Sequence, residues 1–133
     1  MADPITVRPS VAPNAIAPDG TEVRLLAALA GGSFAHFQLP AGEVSGAVRH
    51  RTVEEIWHFV AGRGSLWRRK DGYESIEEVK AGTCVTIPLG TEFQFRASAE
   101  AALAFVAVTM PPWPGADEAI AVKGPWTPTA RRP

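Results

Sequence analysis

A single cysteine, Cys84, stands in the whole chain. One thiol cannot close an internal disulfide, so the core has to hold the fold, and a reducing compartment is the expected setting. No apolar run approaches the roughly 18 residues that a membrane span needs. Neither sign of charge prevails: 13 Lys and Arg stand against 14 Asp and Glu, a net charge of −1. That balance supplies no basic surface for nucleic acid or an anionic membrane, so neither is an expected partner. The N-terminal stretch lacks the apolar segment of a targeting peptide, which makes the cytoplasm the expected location. Long amphipathic helices and internal repeats are also missing. What remains is a neutral domain that handles small molecules or proteins.

The 133 residues are 46% apolar, enough for one compact domain with its own core. Prolines and glycines divide the chain. Pro4, Pro9, Pro13 and Pro18 make residues 1–20 an extended arm, because each blocks a helix. Short β-branched and aromatic runs follow, at 33–39, 54–61, 65–69, 73–79, 83–87, 92–97 and 101–110, each bounded by Gly or Pro turns. The pattern at 21–29 fits a helix or a strand. Asp71-Gly72 between two runs is a hairpin signal. Many short strands with regular turns predict an all-β sandwich or barrel over residues 21–110. Residues 111–133 are too proline-rich for an interior strand. Trp113 and Trp126 are expected to pin this tail to the barrel or to a partner subunit. Cys84, in a strand-like run, is expected to be a small buried hydrophobe.

The chemistry-bearing stretch is His50-Arg-Thr-Val-Glu-Glu55-Ile-Trp57-His58-Phe59, which ends in a Gly62-Arg63-Gly64 turn. In a strand, Trp57 and Phe59 share the face of Glu55, while His58 and Val60 take the other. His58 is therefore expected at the surface. Arg68, Arg69 and Lys70 lead into the hairpin and are expected to form a solvated tip.

The turn glycines resemble those of the cupins, small jelly-roll β-barrels. The first cupin motif is Gly, five residues, His-x-His, three or four residues, Glu, six residues, Gly; here the frame runs through Gly42, Val48, His50, Glu55 and Gly62. The second is Gly, five residues, Pro-x-Gly, two residues, His, three residues, Asn; here Gly82, Pro88 and Gly90 fit, and the frame lands on Phe93 and Ala97. The resemblance implies a metal site of three histidines and a glutamate. This chain keeps His50 and Glu55 but has Val48 and Phe93 at the other two places, and neither side chain can ligate. Two protein ligands rarely hold a divalent ion tightly. His36, Glu92 or Gln94 would have to substitute, although alternation points Glu92 away from Phe93.

The resemblance turns His50 and Glu55 into the barrel, with His36, Trp57, Phe59, Phe93 and Phe95 as expected pocket walls. An imidazole and a carboxyl in such a pocket suit proton transfer without a tightly bound metal. The expectation is a homodimeric enzyme of isomerase, lyase or cyclase type acting on a small molecule. A metal-dependent, dioxygenase-like cupin using His50, Glu55 and a substitute ligand is the second reading, and a non-catalytic binding or sensor barrel the third. The plain alternatives are a polar loop role for His50 between Arg49 and Arg51, and a structural ion pair between Glu55 and Arg96.

Overall fold

The computed structural model describes residues 3–131. Eleven strands run β1 (Ala15–Ile16), β2 (Glu22–Leu29), β3 (Gly32–Leu39), β4 (Val48–His50), β5 (Glu54–Ala61), β6 (Arg63–Lys70), β7 (Tyr73–Lys80), β8 (Cys84–Ile87), β9 (Glu92–Ala97), β10 (Leu103–Met110) and β11 (Ala119–Ala121). The one helical element among the described residues is a short 3₁₀ turn at Ala116–Glu118. The strands form two antiparallel sheets, ordered β1-β2-β3-β10-β5-β8 and β11-β4-β9-β6-β7. Both sheets present an apolar inner face, and together they close a jelly-roll β-barrel.

Alternation in β5 decides which side chains enter. Glu55, Trp57 and Phe59 are buried, whereas Glu54, Ile56, His58 and Val60 are exposed. The same rule corrects the reading of Cys84. It is exposed, because Val85 and Ile87 take the inward positions of β8. The ambiguous run at 21–29 is a strand, paired with β3 across a register shift between Leu25 and Ala28. Asp71 and Gly72 both have positive φ and form the two-residue turn of the β6–β7 hairpin. Strand β6 begins at Arg63, so the turn before it bends at Gly62, not over the whole Gly-Arg-Gly stretch. A side chain at Gly62 would collide with the Ala102 carbonyl, and its φ is +77°.

The middle of the barrel is filled with rings. Trp57 stacks on Phe105 at 4.1 Å between centroids and meets Phe93 and Phe95 edge-on. Phe59, Phe95 and Phe105 are all 1% exposed or less. Truncating one such ring costs about 3–5 kcal/mol.

The tail closes over the outside of the five-stranded sheet. Strand β11 adds to its edge beside β4, as a proline-flanked strand must. Gln94, fully buried, donates to the Ser45 and Trp126 carbonyls and accepts from the Trp126 N–H. Arg96 lies over the Trp126 ring at 4.2 Å. The alternative of a Glu55–Arg96 ion pair is not realised, since Arg96 is on the outward face of β9.

Candidate active site

A cavity of about 480 Å³ lies between the arm, the sheets and the tail. Much of its wall comes from the arm at residues 15–19, strands β2 and β3, and the tail at Pro112 and Trp113, and Val48, His50, Glu55, Thr109, Ala116 and Ala119 complete it. Its existence follows from small side chains. Ala15, Ala17, Ala28, Ala35 and Ala119 line it where larger residues would fill the space.

His50 and Glu55 meet at its inner end. His50 is the last residue of β4 and only 6% exposed, so it is no polar loop residue. Its ring is held edge-on by Phe93 and by Trp113 of the tail, at 5.2 and 5.3 Å between centroids. Glu55, also 6% exposed, accepts hydrogen bonds from Trp57 Nε1 at 2.9 Å and Thr109 Oγ1 at 2.5 Å. His50 Nδ1 lies 3.9 Å from Glu55 Oε1 and is buried without a hydrogen-bond partner.

Both groups are shifted toward their uncharged forms. Burial lowers the His50 imidazole below its ordinary 6.5, against the opposing pull of the Asp19 and Glu118 carboxylates. Burial raises the Glu55 carboxyl above 4.5, outweighing the hydrogen bonds from Thr109 and Trp57, and Glu118 adds to the rise. Burial thus disfavours an ion pair between them and favours a neutral imidazole beside a carboxyl that keeps its proton to higher pH than usual, the two roles that proton transfer needs.

Three contributors escape the sequence pattern. Asp19 comes from the arm, lines the cavity and accepts from the N–H and hydroxyl of Thr21. Burial raises its carboxyl despite those bonds. Thr109 reaches Glu55 from β10, its register partner on the neighbouring strand. Glu118 accepts from the Thr52 N–H, the Thr52 hydroxyl and the Val53 N–H. Burial works against its charge, yet these bonds hold its carboxyl below the ordinary value. No local signal marks Asp19 in Pro-Asp-Gly or Thr109 in an apolar strand, because only pairing of distant segments brings them to Glu55.

The aromatic residues expected as pocket walls stand elsewhere. Trp57, Phe59, Phe93 and Phe95 are packed core and do not line the cavity; Phe37, Val48 and Trp113 do. His36 is not a wall either. It lies opposite Arg24 and Val106 on the outer face of its sheet, while its neighbour Phe37 turns inward onto Phe105.

Neither protein-family models nor curated proteins give a match. Solved structures do. A Bacillus halodurans protein superposes with a TM-score of 0.63 at 22% identity, over 77% of this chain and 76% of that one. A predicted oxalate decarboxylase from Thermotoga maritima gives 0.57 at 23%, over 68% and 80%. An oxalate decarboxylase variant from Bacillus subtilis gives 0.69 at 15%, over 78% of this chain and 29% of that chain. The fold is that of the cupins.

Cupin barrels imply a metal, and the donors present here can be tested for one. Val48 and Phe93 occupy two of the four ligand places of the motif. Of the possible substitutes, Glu92 is paired with Arg69, Gln94 faces the tail and His36 the outside. Both oxygens of Glu55 already accept hydrogen bonds from the protein. Among the described residues no three His, Cys, Asp or Glu side chains converge as a ligand set. His50 and Glu55 alone do not make a site that fits a tightly held divalent ion.

Proposed function

We propose that this cupin barrel binds a small organic molecule in the 480 Å³ cavity and moves protons on it, as an isomerase, lyase or cyclase does. The observation that carries the reading is the unpartnered Nδ1 of His50, 3.9 Å from the carboxyl of Glu55, at the end of an apolar cavity. A buried nitrogen without a partner is costly to the fold, and such groups mark places where a ligand or water completes the bonding. His50 is the general base and acid. Glu55 holds a proton in reserve and polarises, kept in place by Trp57 and Thr109. Trp113 shapes the apolar mouth.

Oxalate, after which two of the similar structures are called, is a small dianion. The cavity lining among the described residues contains no Lys or Arg to receive it. That chemistry therefore does not extend to this chain on the strength of the fold.

The test is exchange of the acidic C–H of neutral ketones and aldehydes in D₂O, followed by NMR, with wild type and His50→Ala. Wild type accelerates exchange for at least one compound of the panel and the folded variant loses that acceleration. Equal rates in both overturn the reading. So does a stoichiometric metal that survives dialysis in wild type and disappears in His50→Ala, which would make the metal-dependent reading the better one.

A further inference from the structure

The charge pattern of the cavity is one-sided. Its titratable lining groups are Asp19, His50 and Glu55, and no Lys or Arg among the described residues lines it. The arginines on neighbouring strands lie elsewhere. Arg24 crosses to the Ser10 and Val11 carbonyls of the arm. Arg49 lies in β4 next to His50 but on the opposite face, in a separate open groove with Arg69 and Lys70. There, Arg69 is paired with Glu92.

Apart from the hydroxyls of Ser33 and Thr109, the rest of the lining is apolar: Ile16, Val23, Phe37, Val48 and Trp113 surround the space between the arm and the tail. A ligand entering it loses water on nearly every side. An anion would exchange that water for two carboxyl groups and hydrocarbon, with no cation to compensate. An uncharged molecule meets no such penalty, and one carbonyl or hydroxyl oxygen on it suffices to satisfy the orphaned Nδ1 of His50.

We infer that the cavity takes an uncharged, largely apolar molecule with a single carbonyl or hydroxyl group near His50, and that a buried lining without any cation makes it reject carboxylates, sulfonates and phosphates. This rests on the reading that the cavity is the ligand site, and it adds the class of ligand.

Two dyes with one skeleton separate the outcomes: N-phenyl-1-naphthylamine, which is neutral, and 8-anilino-1-naphthalenesulfonate, which carries a sulfonate. Fluorescence titration at pH 7 is expected to show saturable binding of the neutral dye, with the sulfonate at least tenfold weaker. Ala15→Trp narrows the cavity and is expected to weaken the neutral dye at least fivefold. Leu25→Lys supplies the missing cation at an exposed lining position and is expected to shrink the preference for the neutral dye at least fivefold. Circular dichroism checks that both variants are folded. Equal affinity for the two dyes, with both sensitive to Ala15→Trp, overturns the charge selection and leaves the cavity as a ligand site. An unchanged preference in folded Leu25→Lys also overturns the charge selection. Failure of the neutral dye to bind, or binding indifferent to Ala15→Trp, overturns the proposal together with the reading beneath it.

Discussion

His50 Nδ1 and Glu55 Oε1 stand 3.9 Å apart with no hydrogen bond between them, although both side chains are buried. The gap has a cause. Trp57 and Thr109 already hold the two oxygens of Glu55 from adjacent positions on β5 and β10, and the rings of Phe93 and Trp113 hold His50. The two groups are positioned independently, which keeps each available to a third molecule.

Thr109→Val removes a buried donor and keeps the shape of the side chain. It is expected to cost about 1–3 kcal/mol in urea denaturation. It should also push the Glu55 carboxyl further up, because the lost hydrogen bond was lowering it. Thr109→Ser should restore both, and an NMR titration of the Glu55 carboxyl reads the second effect directly.

His50 gives stability a pH dependence of known sign. Its imidazole is lowered in the fold, so the unfolded chain takes up a proton first, near the ordinary 6.5. Stability is therefore lost as pH falls below that value toward the folded-state pKa, by at most about 1.4 kcal/mol per pH unit. His50→Phe should abolish this loss, so that the variant gains on wild type between pH 7 and pH 5 in parallel unfolding curves. Glu55 acts in the opposite direction. Its raised carboxyl makes stability fall as pH climbs from about 4.5 through its folded value, and comparing wild type with the His50 variant at each pH separates the two.

Gly62 and Gly72 share a positive φ, +77° and +79°, but differ in surroundings. Gly72→Ala meets open space and should cost about 1–2 kcal/mol from backbone strain alone. Gly62→Ala adds a collision with the Ala102 carbonyl and should cost about 3–5 kcal/mol. Similar costs for both in thermal unfolding would contradict the close approach of β5 and the 102–103 segment.

Gln94→Leu leaves the Ser45 carbonyl and both backbone groups of Trp126 without their partner. The expected loss is about 3 kcal/mol, with the tail released from the sheet. Trypsin should then cleave after the exposed Lys123 many times faster than in wild type, while the barrel fragment persists.

The strands were legible because period two survives in them: Glu55, Trp57 and Phe59 inward, His58 and Val60 outward. So was the β6–β7 hairpin, from Asp71-Gly72. Short pieces were not. Strands β1, β4 and β11 have two or three residues each, too few for any periodicity, and they exist because longer neighbours offer them an edge. The aromatic residues were placed on the correct face of their strands but given the wrong duty. Alternation tells in from out; it does not tell a filled interior from an open one.

The sequence alone determined the all-β class, the turn positions and the incomplete ligand set, since these depend on residue type and spacing along the chain. Only the tertiary structure decided where the cavity lies, because its walls come from the arm, the first sheet and the tail at once. It also decided that Asp19 and Thr109 belong to the site, 36 and 54 residues from Glu55 in the chain. Distances of that kind are fixed by strand pairing and packing, which act between segments that carry no local mark of each other.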